Sequence, residues 1–536
     1  MQKKHAIILA ITSFCLGAKS QSAQAFFLDG DGHYGLKGIT RTKPSFDKAD
    51  RDHQAIEQSF RLNTEIRSSD KASMFLEMRL FDNERTAYMG DDTRLVNCSK
   101  KVDEEGSNLG NAEDCSGKHA DVLEPRYQAY NPQITKAYIR YATDYCLITA
   151  GRRDRQWGLG MYMDAGRNPF DTDWTVFDGV TCDINMQSNQ NLGFSFGYDK
   201  ITETGSTVFS TDNGDYFGPG ENRDDLDQIF LTLVYNDKNS GQKSSQDFSQ
   251  EIGIYFANLL GGAANATDIK IADLFINLGF GDLVIEQEVL FRLGKTADPN
   301  VARLGGLPSR EPTGGDDGVV KNDVQSIAAA GQLEYFLSRS GSYQGPSRFN
   351  RGNAKSHSLF AAYAYAPGDA DGYYPVYPTD PGEASKRDTK ATAVAFHRNF
   401  KPALLLFNAP PESDKNRIDG IFDPYRLVNV SVFSLGYRYK SLENGNLEFK
   451  LITASLNEGI AQDAKEAYAA SEIKPVGYKG KDLGWELDVS YNKFFGESFE
   501  FGAAAAVALP GEAMKRRDDE KAVNSYLLQA HSTFHF

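Results

Sequence analysis

The densest group of chemically capable residues is Gly151-Arg152-Arg153-Asp154-Arg155-Gln156-Trp157-Gly158. Its phase on an extended strand leaves two alternatives: Arg152 points inward, or Arg153 and Arg155 do. The segment after it, Leu159 to Trp174, holds Asp164, Arg167, Asp171 and Asp173. That segment is a candidate for folding into a lumen and narrowing it; the alternative is an exposed surface loop. Charges of this kind order water and discriminate solutes by charge and dipole.

Bond-breaking chemistry is poorly supported. A barrel lipase needs a Ser and a His with a polar orienter. His397 falls on a strand-like stretch, Ala391 to Asn399, but no spacing marks a Ser partner. His531 and His535 read as lining residues. Asp29-Gly30-Asp31-Gly32, Gly314-Gly315-Asp316-Asp317-Gly318 and Asp369-Ala370-Asp371-Gly372 offer oxygen ligands, but none has full calcium-loop spacing, and Asp-Gly pairs form turns. No nucleotide or zinc motif stands out. We expect no enzyme, no cofactor and no metal.

The elements that must position these charges are strands. Asn524 to Phe536 alternates: Leu528, Ala530, Ser532, Phe534 and Phe536 on one face, Gln529, His531, Thr533 and His535 on the other. This is the period-2 pattern of a membrane barrel strand. Strand signals begin at His33 to Lys43 and recur at Phe60 to Arg67, Met74 to Phe81, Thr135 to Ala142 and Cys146 to Trp157. Short connections near 189, 281–282, 443–446 and 496–497 alternate with long ones near 202–226, 295–323, 367–389, 410–427, 458–480 and 510–523. Segments of about 9 to 12 residues number about 18 to 20. The fold class is all-β: a single transmembrane antiparallel β-barrel of about 18 strands, with long outer loops and short periplasmic turns.

The polar phase of these strands gives the candidate lumen residues. Early strands supply Arg61, Glu65, Arg67, Glu77, Arg79 and Arg140, with Arg152 or Arg153 and Arg155. Later strands supply Glu286, Glu288, Arg292, Glu334, Arg438, Glu448, Lys450, Glu486 and Asp488. A cationic sector would then face an anionic one.

Ile134 to Asp178 resembles the corresponding part of alginate-export-type outer-membrane barrels, through Gly151-Arg152-Arg153-Asp154-Arg155-Gln156-Trp157, Asp164 and Asp171. His33-Tyr34-Gly35-Leu36-Lys37-Gly38-Ile39-Thr40 has a similar look. The resemblance implies an 18-stranded barrel with an arginine-bearing constriction and a pore role for Arg152 and Arg155. It does not carry alginate with it, because this lumen reads as mixed in charge. Resemblance to outer-membrane barrels also implies that the terminal Phe536 addresses the chain to the barrel-assembly machinery.

Residues 1–25 read as a signal peptide: Lys3 and Lys4, an apolar run from Ala6 to Gly17, then Ala23-Gln24-Ala25. Residues 26–536 form the barrel. Cleavage removes three lysines and no acid, so the formal net charge of −15 becomes more negative by three. No basic stripe appears, which argues against nucleic acid. Mean hydropathy is −0.48, and aromatic residues make up 12% of the chain. Both suit a barrel with interfacial aromatic belts and polar loops. Of the cysteines left after cleavage, Cys98 and Cys115 share one polar stretch and are the expected disulfide, while Cys146 and Cys182 stay open.

The reading is an outer-membrane porin for passive passage of small hydrophilic solutes or saccharides. Its expected partners are outer-membrane lipids, lipopolysaccharide and the solute. The alternative is an adhesin or receptor barrel acting through its long acidic loops. A barrel hydrolase is the third reading.

Overall fold

The computed structural model describes residues 27–44, 46, 52–81, 133–171, 174–185, 191–202, 226–237, 248–261, 267–296, 322–340, 355–368, 390–408, 426–441, 445–460, 465, 474, 476–496, 498–515 and 521–536. The strands are β1 Phe27–Thr42, β2 His53–Ser69, β3 Ala72–Phe81, β4 Gln133–Ala142, β5 Leu147–Asp154 and β6 Val176–Asn185. They continue as β7 Leu192–Thr202, β8 Leu226–Asp237, β9 Phe248–Gly261, β10 Asp268–Phe280, β11 Leu283–Thr296 and β12 Asn322–Ser340. The last six are β13 Lys355–Ala366, β14 Val430–Lys440, β15 Asn446–Leu456, β16 Asp482–Phe495, β17 Phe499–Pro510 and β18 Ser525–His535. Each pairs antiparallel with the next, and β18 returns to β1, giving a closed wall of 18 strands. Lys390–Ala391 adds a two-residue parallel bridge to β12.

Alternation decides the faces. On β18, Leu528 and Phe534 are exposed on the outside, as is Phe536 just after it, while Thr533 is buried on the inside. On β14, Phe433 and Leu435 face out while Val432 and Ser434 face in. Phe280, Phe495, Phe499, Phe534 and Phe536 form an exposed aromatic belt at the short-turn end. An apolar exterior of this extent is far larger than the patches soluble proteins tolerate, and hydrocarbon is the solvent that matches it. No helix among the described residues is long and apolar enough to cross a membrane.

Turn chemistry fixes the short connections. Thr143 Oγ1 accepts from Tyr145 N and Cys146 N, at 3.2 and 2.9 Å, which closes the turn between β4 and β5. Gly281 sits at φ 56 in the two-residue link between β10 and β11. At the seam, Gly32 N donates to Phe536 O at 2.9 Å and Phe536 N donates to Gly32 O at 3.1 Å. Cys146 is disulfide-bonded to Cys182, tying the β4–β5 turn to β6. Cys98 and Cys115, the expected pair, lie outside the described residues.

The hydrophobic core lies inside the wall. Two loop segments, 155–175 and 392–408, contribute Trp157, Met161, Met163, Phe396, Leu405 and Leu406 to one buried cluster. The wall supplies inward-facing Tyr255, Leu259, Ile269, Ile271, Leu290, Val432, Ile452 and Ala506 to it. Segment 391–399, expected as a strand, is instead part of this infolded region. Its apolar residues pack inside the barrel, so they imitate the pattern of a wall strand. β13 therefore pairs directly with β14 in the wall.

Candidate functional site: a lumen narrowed by two anchored loops

Loop 155–175 leaves β5 with Arg155 and is held by a wall carboxylate. Glu288 Oε2 on β11 accepts from Leu159 N at 2.6 Å and Met161 N at 3.4 Å. Gly158 is at φ +49, and a Cβ there would lie 2.6 Å from the same oxygen. Glycine is therefore required on both counts. Arg61 of β2 donates to Gly166 O at 2.7 Å. Beyond that bond the loop reaches the β1–β18 seam. Phe170 lies 5.5 Å from the ring of His531 and 5.4 Å from Lys37 Nζ.

Loop 392–408 is held the same way from another part of the wall. Glu486 of β16 accepts from three successive backbone N–H groups: Leu404 and Leu405 on Oε1 at 2.8 and 2.7 Å, and Leu406 on Oε2 at 2.7 Å. Such charge-assisted bonds are among the stronger ones proteins form. Arg41 of β1 donates to Leu405 O at 3.0 Å and also to Asn408 O. Arg292 of β11 reaches Ala393 O at 3.5 Å. The loops also meet each other: His397 N donates to Met161 O at 2.8 Å, and Asn399 Nδ2 to Asp164 Oδ1 at 3.1 Å. Glu288, Arg292 and Glu486, candidate lumen residues by their polar phase, are thus loop anchors. Arg41 has the same role and was missed, because its partner loop is more than 360 residues away in sequence.

The remaining wall charges form two cross-strand ladders. On the early strands, Glu77 joins Arg79 at 3.0 Å, Lys136 at 2.9 Å and Arg61 at 3.9 Å. Lys136 reaches Asp154 at 3.0 Å, and Asp199 takes Arg153 at 2.7 Å and Arg155 at 2.9 Å. Arg153 also donates to Thr181. Arg155 stacks 3.7 Å above Phe230, and Arg79 lies 3.6 Å above Trp174. Across the lumen, Arg438 bridges Glu334 at 3.0 Å and Glu448 at 2.8 Å. Lys450 lies 4.0 Å from Glu448 and 3.7 Å from Asp488. The early ladder has more cations than acids and the late one more acids than cations. Each is largely neutralised within itself, so the transverse field is the residue left after pairing.

Other expected lining residues fall elsewhere. Arg152 points outward with Ile148 and Ala150, in register with Asp178, and binds both its carboxylate oxygens at 2.9 and 2.7 Å. The phase that holds is therefore Arg153 and Arg155 inward, and the pore role implied for Arg152 is corrected. The pair satisfies both charges on the outer surface, where a lone guanidinium would be costly. Glu65 and Arg67 pair at 2.7 Å near the β2–β3 turn, with Arg67 well exposed at the rim. Arg140 lies 4.6 Å over Phe75, also near the short-turn end. Glu286 is half-buried on β11. In the first loop, Asp171 is partly buried. Burial first, and then the nearby Asp164 carboxylate, push its acid up to about 6.

Solved barrels resemble this chain over nearly its whole length. Pseudomonas aeruginosa OccK2 (OpdF) is 9% identical with TM-score 0.47, covering 95% of this chain and 97% of its own. Acinetobacter baumannii OccAB1 is 12% identical with TM-score 0.46, covering 95% and 96%. The outer membrane protein OprD from Pseudomonas aeruginosa is 10% identical with TM-score 0.43, covering 96% and 95%. Comparison with protein-family models and with curated proteins gives no match, so the alginate-export-type resemblance of Ile134 to Asp178 gains no support from them.

Proposed function

We propose that this chain is a bacterial outer-membrane pore for passive passage of small hydrophilic solutes. The observation that carries this reading is the contrast between the two faces of one closed wall. The outside is predominantly apolar, and the inside bears paired charges and two loops tied down at fixed points. A wall of 18 strands is wide enough to enclose water, and anchored loops set an aperture without closing the barrel. Arg153, Arg155 and Asp171 lie along the constriction side, and Arg438, Glu448 and Lys450 along the other. Solutes are then sorted by charge and dipole more than by a single binding pocket. The signal peptide over 1–25, the outer-membrane address and the reading of Phe536 by assembly factors belong to this same proposal.

The test is single-channel recording of the refolded, signal-free protein in planar bilayers, with reversal potentials under a salt gradient. Stable current steps are expected. Replacing Arg153 and Arg155 together by Ala frees Asp199 and shifts selectivity toward cations. Replacing Arg152 leaves selectivity unchanged, because it lies outside the lumen. A folded barrel that carries no current would overturn the reading.

A further inference from the structure

The inward faces of β1, β17 and β18 meet where the barrel closes, and they carry a group that the loop constriction does not use as an anchor. Glu500 of β17 lies between two imidazoles of β18. Its Oε1 is 4.0 Å from His531 Nε2, and its Oε2 is 3.7 Å from His535 Nε2. His33 of β1 is the register partner of His535, with ring centroids 6.2 Å apart, and its Nε2 is 3.4 Å from Ser59 Oγ. The ring of His531 occupies space that Gly502 leaves open, since a Cβ there would lie 2.1 Å from Cε1.

The surrounding charges are fixed and mostly paired, with Lys401 of loop 392–408 acting on Lys37 and Asp171. From β1 and β2, Lys37 and Glu57 pair at 2.7 Å. From β2 and β3, Arg61, Arg79 and Glu77 act on His33 and are themselves linked. Thr533 of β18 and Asn492 of β16 are neutral neighbours, and Phe170 of the loop stacks edge-on to His531. With the imidazoles neutral, Glu500 is the unbalanced charge of this group. Each proton taken up by His531 or His535 adds one positive charge beside it. Imidazole is the side chain whose charge ordinarily changes between pH 5 and 8. An ion passing within about 10 Å of the seam feels that change at 0.1 M salt.

We propose that Glu500, His531 and His535 form a proton-responsive selectivity element at the short-turn mouth, favouring cationic solutes at alkaline pH and anionic solutes at acidic pH. This rests on the pore reading. These residues act by facing the permeating ion, and their protonation sets the sign of the local potential.

The test is the potassium-to-chloride permeability ratio at pH 8 and pH 5 in planar bilayers. It is made in the Asp171→Asn background, which removes the constriction acid from the titration. The ratio is expected to fall about twofold or more on acidification. His531→Gln with His535→Gln should hold it near its pH 8 value at both pH values. Glu500→Gln should lower the pH 8 ratio, and it serves if the double variant does not fold. A ratio independent of pH, a double variant that keeps the full swing, or a Glu500→Gln protein with an unaltered pH 8 ratio would each overturn the proposal. Folded protein without current would instead overturn the pore reading beneath it.

Discussion

At the residue scale, the charged side chains divide by what they touch. Glu486 serves three backbone N–H groups, so its role is mechanical before it is electrostatic. Glu486→Ala leaves those donors without their carboxylate and should cost about 2–4 kcal/mol. Unit conductance should rise as 392–408 comes away from the wall, and limited proteolysis within that segment should accelerate. Unchanged conductance would mean the loop is held by packing alone. Asp171 makes a pH prediction. Its folded-state value, about 6, lies above the ordinary carboxylate value, so the neutral form is the one the fold favours. That stability is fully present below about pH 4 and is lost as pH rises through about 6. Asp171→Asn should therefore raise the melting temperature at pH 8 and leave it unaltered near pH 4, as scanning calorimetry in detergent would show. The polar phase of β11 and β16 made Glu288 and Glu486 visible in the sequence. That they bind loops could not be read there, because their partners are amide groups that every residue possesses.

At the element scale, the wall strands were legible and the infolded loops only partly. β2, β3 and β18 alternate cleanly, since one face meets lipid and the other meets water and charge. β9, β10 and β13 alternate less clearly, because their inward faces also carry apolar residues that pack on the loops. The same packing made 391–399 look like a strand. Loop 155–175 was recognisable as a candidate for entering the lumen, but the outcome depended on Glu288, Arg61 and Gly158 meeting it. The Cys146–Cys182 disulfide spans 36 residues and closes the β4–β5 turn against β6. Replacing both cysteines by Ala should cost about 3–4 kcal/mol by the loop-entropy argument. The protein should unfold at a lower temperature on heat-modifiability gels while keeping its conductance, since neither cysteine is among the residues that tie the loops down. An unaltered transition would show that strand pairing alone fixes this turn.

At the scale of the whole molecule, solvent on two sides fixes the design. Leu435 is 51% exposed on the outer face of β14. Leu435→Arg should destabilise the barrel in bilayers by about 2–4 kcal/mol if that face lies near the hydrocarbon midplane. Urea titration in lipid vesicles measures this directly, and a neutral result would contradict the proposed membrane face. By itself the sequence determined the strand period, the asymmetry of short turns and long loops, the closing strand that ends at Phe536, and which residues carry charge. These are local properties, written in spacing and residue type. Only the tertiary structure decided that Arg153 and Arg155 enter the lumen while Arg152 leaves it, and that the charges of each ladder pair largely within it. It alone revealed that Glu288, Glu486, Arg41 and Arg292 hold two loops inside the wall. A one-residue change of phase reverses a side chain's face. A carboxylate's partner is chosen by the closure of 18 strands, which brings together residues that no local pattern connects.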